Sequence, residues 1–139
     1  MRQVLREITL KTSGAGLYEF SREAHAFVAS AEMETGLFTA FCRHTSASLV
    51  IQENADPDVQ RDLAAFFRRL VPDGDPLFVH TMEGPDDMPA HVRSALTQTS
   101  LSIPVANGAL ALGTWQGLYV YEHRTAGHRR QVMLHLIGE

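Results

Sequence analysis

The chain has 139 residues, enough for one domain with its own hydrophobic core and too few for two ordinary ones. Apolar residues make up 45% and charged residues 20%, which excludes a disordered chain, and the single cysteine, Cys42, excludes a disulfide framework or a multi-Cys zinc site. A net charge of −4 leaves no basic footprint for nucleic acid or for an anionic membrane.

Arg2, Arg6, Glu7 and Lys11 interrupt the N-terminal run, so it offers no apolar signal region, and no stretch approaches the roughly 20 apolar residues of a membrane span. A soluble cytoplasmic protein is expected. Arg2 to Leu10 alternates moderately, with Val4, Ile8 and Leu10 set apart from Gln3 and Glu7, and reads as a strand. Thr12 to Gly16 is turn-like, and Leu17 to Phe20 is a second short strand. Ser21 is the expected N-cap of a helix running to about Met33, with Ala24, Phe27, Val28 and Ala31 inside. After Gly36, Leu37–Arg43 and Ser46–Gln52 read as strands.

Asp56-Pro57 starts a second helix, with Val59, Leu63, Phe66, Phe67 and Leu70 at helical spacing and Pro72-Asp73-Gly74 as its stop. Asp87, Met88 and Pro89 start a third, with Val92, Ala95 and Leu96 expected on its inner face. Leu101–Val105 precedes Asn107-Gly108, a strong hairpin signal. Ala109–Leu112, Thr114–His123 and Gln131–Ile137 complete the strands. Strands bracketing a helical middle predict a single α+β domain over residues 1–139 with a largely antiparallel sheet or sandwich. The late strands are apolar on both faces: Trp115, Tyr119 and Tyr121 lie on one side, Leu118 and Val120 on the other. So short a chain has few helices to cover both, which favours a homo-oligomer.

Seven histidines against one cysteine mean that any metal site must use imidazole and carboxylate. The densest polar run is His44-Thr45-Ser46-Ala47-Ser48, followed by Glu53, Asn54 and Asp56. His44 and Ser46 share a side of an extended chain, so His44 reads as metal ligand or general base. The same residues also read as a polar strand end followed by helix caps. A second run holds His80, Glu83, Asp86, Asp87 and His91. Asp87 and His91, four apart, share a helix face, and a carboxylate beside an imidazole orients a ligating or catalytic histidine. Asp86 and Asp87 equally suit the helix dipole. With His44 joining His80 and His91, three imidazoles and an open position suit zinc, while the carboxylates favour magnesium or manganese.

In the third run, Trp115-Gln116 offers an aromatic platform and an amide, or a core or oligomer contact. Arg124, Arg129 and Arg130 offer planar forks for phosphate, or a solvated strand start. His25, His128 and His135 lack an acid at useful spacing and read as structural, Cys42 as a small buried hydrophobe; His123 is left open.

His44-Thr45-Ser46-Ala47-Ser48-Leu49, Glu53-Asn54-x-Asp56-Pro57, Glu83-Gly84-x-Asp86-Asp87-Met88-Pro89-x-His91, Gly113-Thr114-Trp115-Gln116-Gly117 and Glu122-His123-Arg124 together resemble the YjbQ family, also called secondary thiamine-phosphate synthase. The resemblance runs in order over nearly the whole chain. It implies an α+β fold containing a β-sandwich, a homotrimer, and a divalent metal, zinc or magnesium, held by His44, His80 and His91. It implies that hydroxymethylpyrimidine diphosphate is joined to thiazole phosphate with release of pyrophosphate. Asp87 would then support the metal, and Glu53 and Asn54 would orient substrate or water. Ser46, Trp115, Gln116, Arg124 and Arg130 would contact the phosphorylated substrate. A metal-dependent hydrolase and a non-catalytic trimeric metal-binding or ligand-binding protein are the competing expectations.

Overall fold

A computed structural model describes all residues, 1–139. Eight strands and three helices follow in the order β1 (Arg2–Lys11), β2 (Gly16–Glu19), α1 (Ser21–Ala31), β3 (Thr35–Cys42), β4 (Ala47–Glu53), α2 (Pro57–Leu70), α3 (Asp87–Leu96), β5 (Ser100–Ala106), β6 (Ala109–Leu110), β7 (Gln116–Glu122) and β8 (Arg129–Gly138). Every strand pairing is antiparallel. A curled five-stranded sheet has the order β1-β8-β3-β5-β6, and a three-stranded sheet has the order β2-β7-β4. The expected α+β class with antiparallel sheets is what the chain adopts.

Strand alternation fills the core. Phe38, Ala40, Leu101, Ile103, Val132, Leu134 and Leu136 point inward from the large sheet, and Leu49, Leu118 and Val120 face them from the small one. The helix α1 closes this core with Ala24, Phe27, Val28 and Ala31, the residues its spacing assigned to the inside. Ser21 does not cap α1. The cap position is Phe20, and the Ser21 hydroxyl donates to Glu19 Oε2 at 2.8 Å while accepting the Leu118 N–H. That hydroxyl joins the helix to the small sheet instead. Asn107 and Gly108 both take positive φ (53° and 76°), as the tight β5–β6 turn demands.

Two expectations about helix faces need correction. No residue of α2 is fully buried, and Phe66 and Leu70 are exposed. Phe67 still packs edge-on against Tyr121, ring centres 5.7 Å apart, so α2 covers the outer face of β7. The chain therefore does cover both faces of β7. The inner face of α3 is Asp87, Pro89, Ala90, Arg93 and Ser94, not Val92, Ala95 and Leu96. Polar anchors set that rotation: Ser94 Oγ donates to the Ala47 carbonyl at 3.0 Å and Arg93 Nη2 to the Val71 carbonyl at 2.6 Å. The sheet face left open belongs to β1, β3 and β8. Leu5, Leu37 and Phe41 are exposed there, beside half-buried Met133 and Ile137.

One buried ion pair joins the elements. Glu122, at the end of β7, is fully buried and accepts from Arg130 Nε at 2.8 Å, from the Thr12 hydroxyl at 2.6 Å and from the Arg124 N–H at 3.2 Å. Arg130 also donates to the Ser46 hydroxyl at 3.0 Å. Removing one partner strands a buried charge, so Arg130→Met is expected to destabilise the fold by about 3–5 kcal/mol. Urea unfolding measures this; a loss under about 1 kcal/mol would mean that the pair is dispensable.

Candidate metal centre

The third helix begins with two carboxylates, Asp86 at the cap and Asp87 in the first turn, where the helix dipole favours negative charge. The preceding loop brings His80 over that turn. Asp75 shapes the loop, its carboxylate accepting the Leu77 N–H at 2.9 Å, and a second turn closes at Gly84, where φ is +102°. Nε2 of His80 lies 2.7 Å from Asp87 Oδ2. One helical turn on, His91 brings its Nε2 to 3.1 Å from the same oxygen. The donor atoms of His80, Asp87 and His91 all lie within 4.8 Å of one another, with Asp87 buried and His80 and His91 partly open. Beside them is a cleft of about 300 Å³ lined in part by Phe78, Thr81 and Met88.

Arg124 braces the carboxylates from behind. Its Nε lies 2.9 Å from Asp86 Oδ2, its Nη1 2.9 Å from Asp87 Oδ1, and its Nη2 donates to the Glu83 carbonyl at 3.0 Å. The hydrogen bond from Arg124 holds the Asp86 carboxyl well below the usual carboxylate range, with the Thr125 N–H adding to it. Burial opposes the charge of Asp87, but the hydrogen bond from His80, with His91 and Arg124 alongside, outweighs it and lowers that pKa too. Both acids are thus anionic at neutral pH.

His91 explains what the trio needs. Its Nδ1 lies 2.9 Å from the Thr45 carbonyl, which only accepts, so Nδ1 carries the proton. In a neutral ring Nε2 is then a bare lone pair aimed at an anionic oxygen. That contact is favourable only with positive charge at the site, either a proton on the ring or a cation held by the trio. An imidazole tied through its far N–H to a backbone carbonyl is the usual arrangement of a metal-bound histidine. Two imidazole nitrogens and a carboxylate oxygen form a donor set suited to a divalent metal with open positions.

The chain matches the family model described as UPF0047 protein YjbQ-like over residues 6–139. The chain belongs to the YjbQ family. A UPF0047 protein of Synechocystis is 53% identical to it across 99% of this chain and 94% of that protein. The UPF0047 protein YjbQ of Salmonella typhimurium is 46% identical over 77% of each chain. Among solved structures, a YjbQ/UPF0047 family protein of Clostridium acetobutylicum superposes with a TM-score of 0.87 at 33% identity, covering 95% of this chain and 99% of that one.

This YjbQ chain does not assemble the expected His44–His80–His91 set, because Asp87 takes the third place. Nε2 of His44 instead accepts the Gln131 N–H at 2.8 Å. Burial and the Arg130 charge push the His44 pKa down, keeping the ring neutral as that acceptance requires. Arg130 is only 4% exposed and is committed to Glu122 and Ser46, so its position does not suit a phosphate ligand. Ser46 is correspondingly occupied. Arg124 serves the carboxylates.

Glu53, Asn54, Trp115 and Gln116 lie together at the far end of the β4–β7 ladder, where Glu53 pairs with Gln116. Ala47 and Glu53 stand at opposite ends of the seven-residue β4, so that end lies roughly 20 Å along the strand from the Ala47–Glu122 pair. There the Glu53 carboxylate accepts the Asp56 N–H at 2.7 Å, and Asn54 approaches the Thr114 carbonyl at 3.5 Å. The Gln116 amide oxygen accepts the Gly113 N–H at 2.8 Å. Trp115 sits in a turn just before β7 and is 63% exposed, so it is not a core residue.

Three contributors escaped the sequence reading: the Thr45 carbonyl, the clamp of Arg124 on Asp86, and the inward-facing Arg93. A backbone acceptor leaves no trace in residue type. The Glu122-His123-Arg124 motif marked the second without giving its partner.

The linkage of Asp86 to pH has a definite sign. Its folded pKa lies below the ordinary 3.8, so its contribution is complete above that value and is lost as pH falls below it. Asp86→Asn is therefore expected to cost about 1.5–3 kcal/mol at pH 7. The gap to wild type should narrow on titration below pH 3.8; a gap constant across that range would exclude the linkage.

Proposed function

We propose that this chain is a metal-dependent enzyme acting on small phosphorylated substrates in the manner of secondary thiamine-phosphate synthase. In this reading it joins hydroxymethylpyrimidine diphosphate to thiazole phosphate with release of pyrophosphate. The observation that carries the reading is the fixed His91 tautomer, which turns a bare nitrogen toward the Asp87 carboxylate. His80, Asp87 and His91 would hold zinc or magnesium, and the bound cation would neutralise charge on a diphosphate leaving group. Arg124 keeps Asp87 Oδ1 engaged, leaving Oδ2 for the two imidazoles. The loop cleft beside His80 is the place for substrate, with Thr81 and Met88 along its walls.

The proposal includes a homotrimer. Leu5, Leu37 and Phe41 form an apolar patch on the outer face of the large sheet, the kind of surface that subunit contacts cover. Association is also a route by which Glu53, Asn54 and Trp115 of one subunit reach the metal trio of another, as a substrate-orienting role would require. No helix is long and apolar enough to cross a membrane, and the buried thiol of Cys42 suits the reducing cytoplasm.

Thiamine-phosphate formation with zinc-loaded and magnesium-loaded protein tests the chemistry. His91→Ala and Asp87→Asn are each expected to lower both metal content and product rate by at least about tenfold. Equal trace product from wild type and both variants would overturn the synthase reading. Metal retention without synthesis would turn the assignment to the hydrolase or to a non-catalytic binding protein. For the assembly, light scattering should give the mass of three chains, and Phe41→Glu should release species of 15.4 kDa. A wild-type mass of 15.4 kDa would refute the trimer.

A further inference from the structure

Between α2 and α3 the chain runs over the surface, and no residue from Pro72 to Pro85 is buried. This stretch nonetheless delivers His80 to the candidate metal centre. Its hydrogen bonds are chiefly its own: the Leu77 and Phe78 N–H groups donate to Asp75, and the Gly84 N–H donates to the Thr81 carbonyl. From Asp75 to Met82 the one hydrogen-bonded tie to a helix or strand is that of His80 Nε2 to Asp87 Oδ2. His91 is braced through its other ring nitrogen by the Thr45 carbonyl, but His80 Nδ1 has no partner in the chain. A metal-binding imidazole is ordinarily held through both nitrogens, so this ring lacks its brace.

The same loop carries the two most exposed large apolar side chains of the protein. Met82 is 98%, Val79 95% and Leu77 78% exposed, while no other large apolar side chain beyond the N-terminal Met1 exceeds the 64% of Leu5. Val79 and Met82 flank His80 in sequence, so whatever covers them also steadies that ring. Between Asp75 and Glu83 there is no acid, lysine or arginine.

A closed ring of three copies repeats one head-to-tail contact, so each chain must offer two different and complementary surfaces. The chain has two apolar surfaces of unlike shape. One is the open face of the large sheet, with Leu5 on β1, Met133 and Ile137 on β8, and Leu37 and Phe41 on β3. The polar groups on that face are engaged: Arg43 pairs with Glu7 at 2.6 Å, and His135 with Gln3 at 2.9 Å. The other surface is the projecting tip of the His80 loop. A tip without acid, lysine or arginine suits a face whose flanking charges are already paired, and unbranched Met82 adapts to an irregular apolar surface.

We infer that the His80 loop of one copy packs on the open sheet face of the next, and that this contact supplies the brace His80 lacks. The inference rests on the homotrimer and the metal centre proposed above. The metal centre is then incomplete in an isolated chain. Assembly and metal affinity are coupled, each strengthening the other by the same factor.

The double variant Val79→Glu with Met82→Glu alters only exposed side chains, so its circular dichroism should match wild type. Its mass should be 15.4 kDa at concentrations where wild type forms three chains. Phe41→Glu, and Leu5→Glu on a different strand, should do the same from the other surface. The loop variant mixed with Phe41→Glu should form a two-chain complex, because one intact loop then meets one intact face; neither does so alone. Zinc, titrated by competition, should bind Phe41→Glu about tenfold or more weakly than assembled wild type, although every metal donor is in place. A loop variant that still assembles as three chains overturns the inference and leaves the trimer standing. A wild-type mass of 15.4 kDa overturns both. No complex in the mixture overturns the loop contact, and equal zinc affinity in the two oligomeric states overturns its coupling to the metal. Wild type that takes up no zinc ends the coupling together with the metal reading.

Discussion

Glu122 has to remain charged inside the protein, and much of the architecture follows from that requirement. A buried carboxylate is tolerable only when several donors converge on it. Here they come from separate stretches of chain: Thr12 after β1, Arg124 just past β7, and Arg130 near the start of β8. Arg130 carries the tie onward to Ser46, at the entrance to β4. Both sheets are therefore fastened at one corner, and Arg124 leaves that corner in a fixed direction toward α3. Burial alone would raise the Glu122 pKa, but these donors reverse the effect and bring it below the ordinary carboxylate value.

The metal trio inherits its position from this corner. Arg124 fixes the two carboxylates at the start of α3, and the Thr45 carbonyl fixes the His91 ring. Thr45 itself lies next to Ser46, which Arg130 holds. The ring and the carboxylate that oppose each other are thus oriented by neighbouring parts of one hydrogen-bonded assembly. Only His80 arrives by an independent route, on a loop shaped by its own turns.

Local chemistry made much of the fold legible in sequence. Asp56-Pro57 starts α2 because a carboxylate cap accepting the Asp58 N–H and a proline without an N–H solve the same problem of unpaired donors. Asn107-Gly108 marks a turn because both residues tolerate positive φ. The inner face of α3 was hidden for the opposite reason. Hydrophobic spacing cannot register a helix that turns Asp87, Arg93 and Ser94 inward, since those residues are stabilised by partners distant in sequence. The candidate site shows the same division. Asp87 and His91 are linked by a local four-residue spacing, whereas leaving His44 out of the set required knowing that the Gln131 N–H would claim its ring. Arg130 looked like a surface arginine because its partner, Glu122, sits across a turn on the adjoining strand segment.

The inward side of α3 has a consequence for how this protein can vary. Within ten residues, one short helix supplies two of the candidate metal donors, the arginine that reaches the Val71 carbonyl, and the serine that anchors the helix to β4. Neighbouring positions on a helix are about 100° apart, so a small rotation moves all of these groups together. The candidate metal centre therefore cannot be reshaped through α3 without disturbing the contacts that seat the helix. Substitutions on this helix are expected to be tolerated at its exposed positions, Ala95 and Leu96, and not on its inward side.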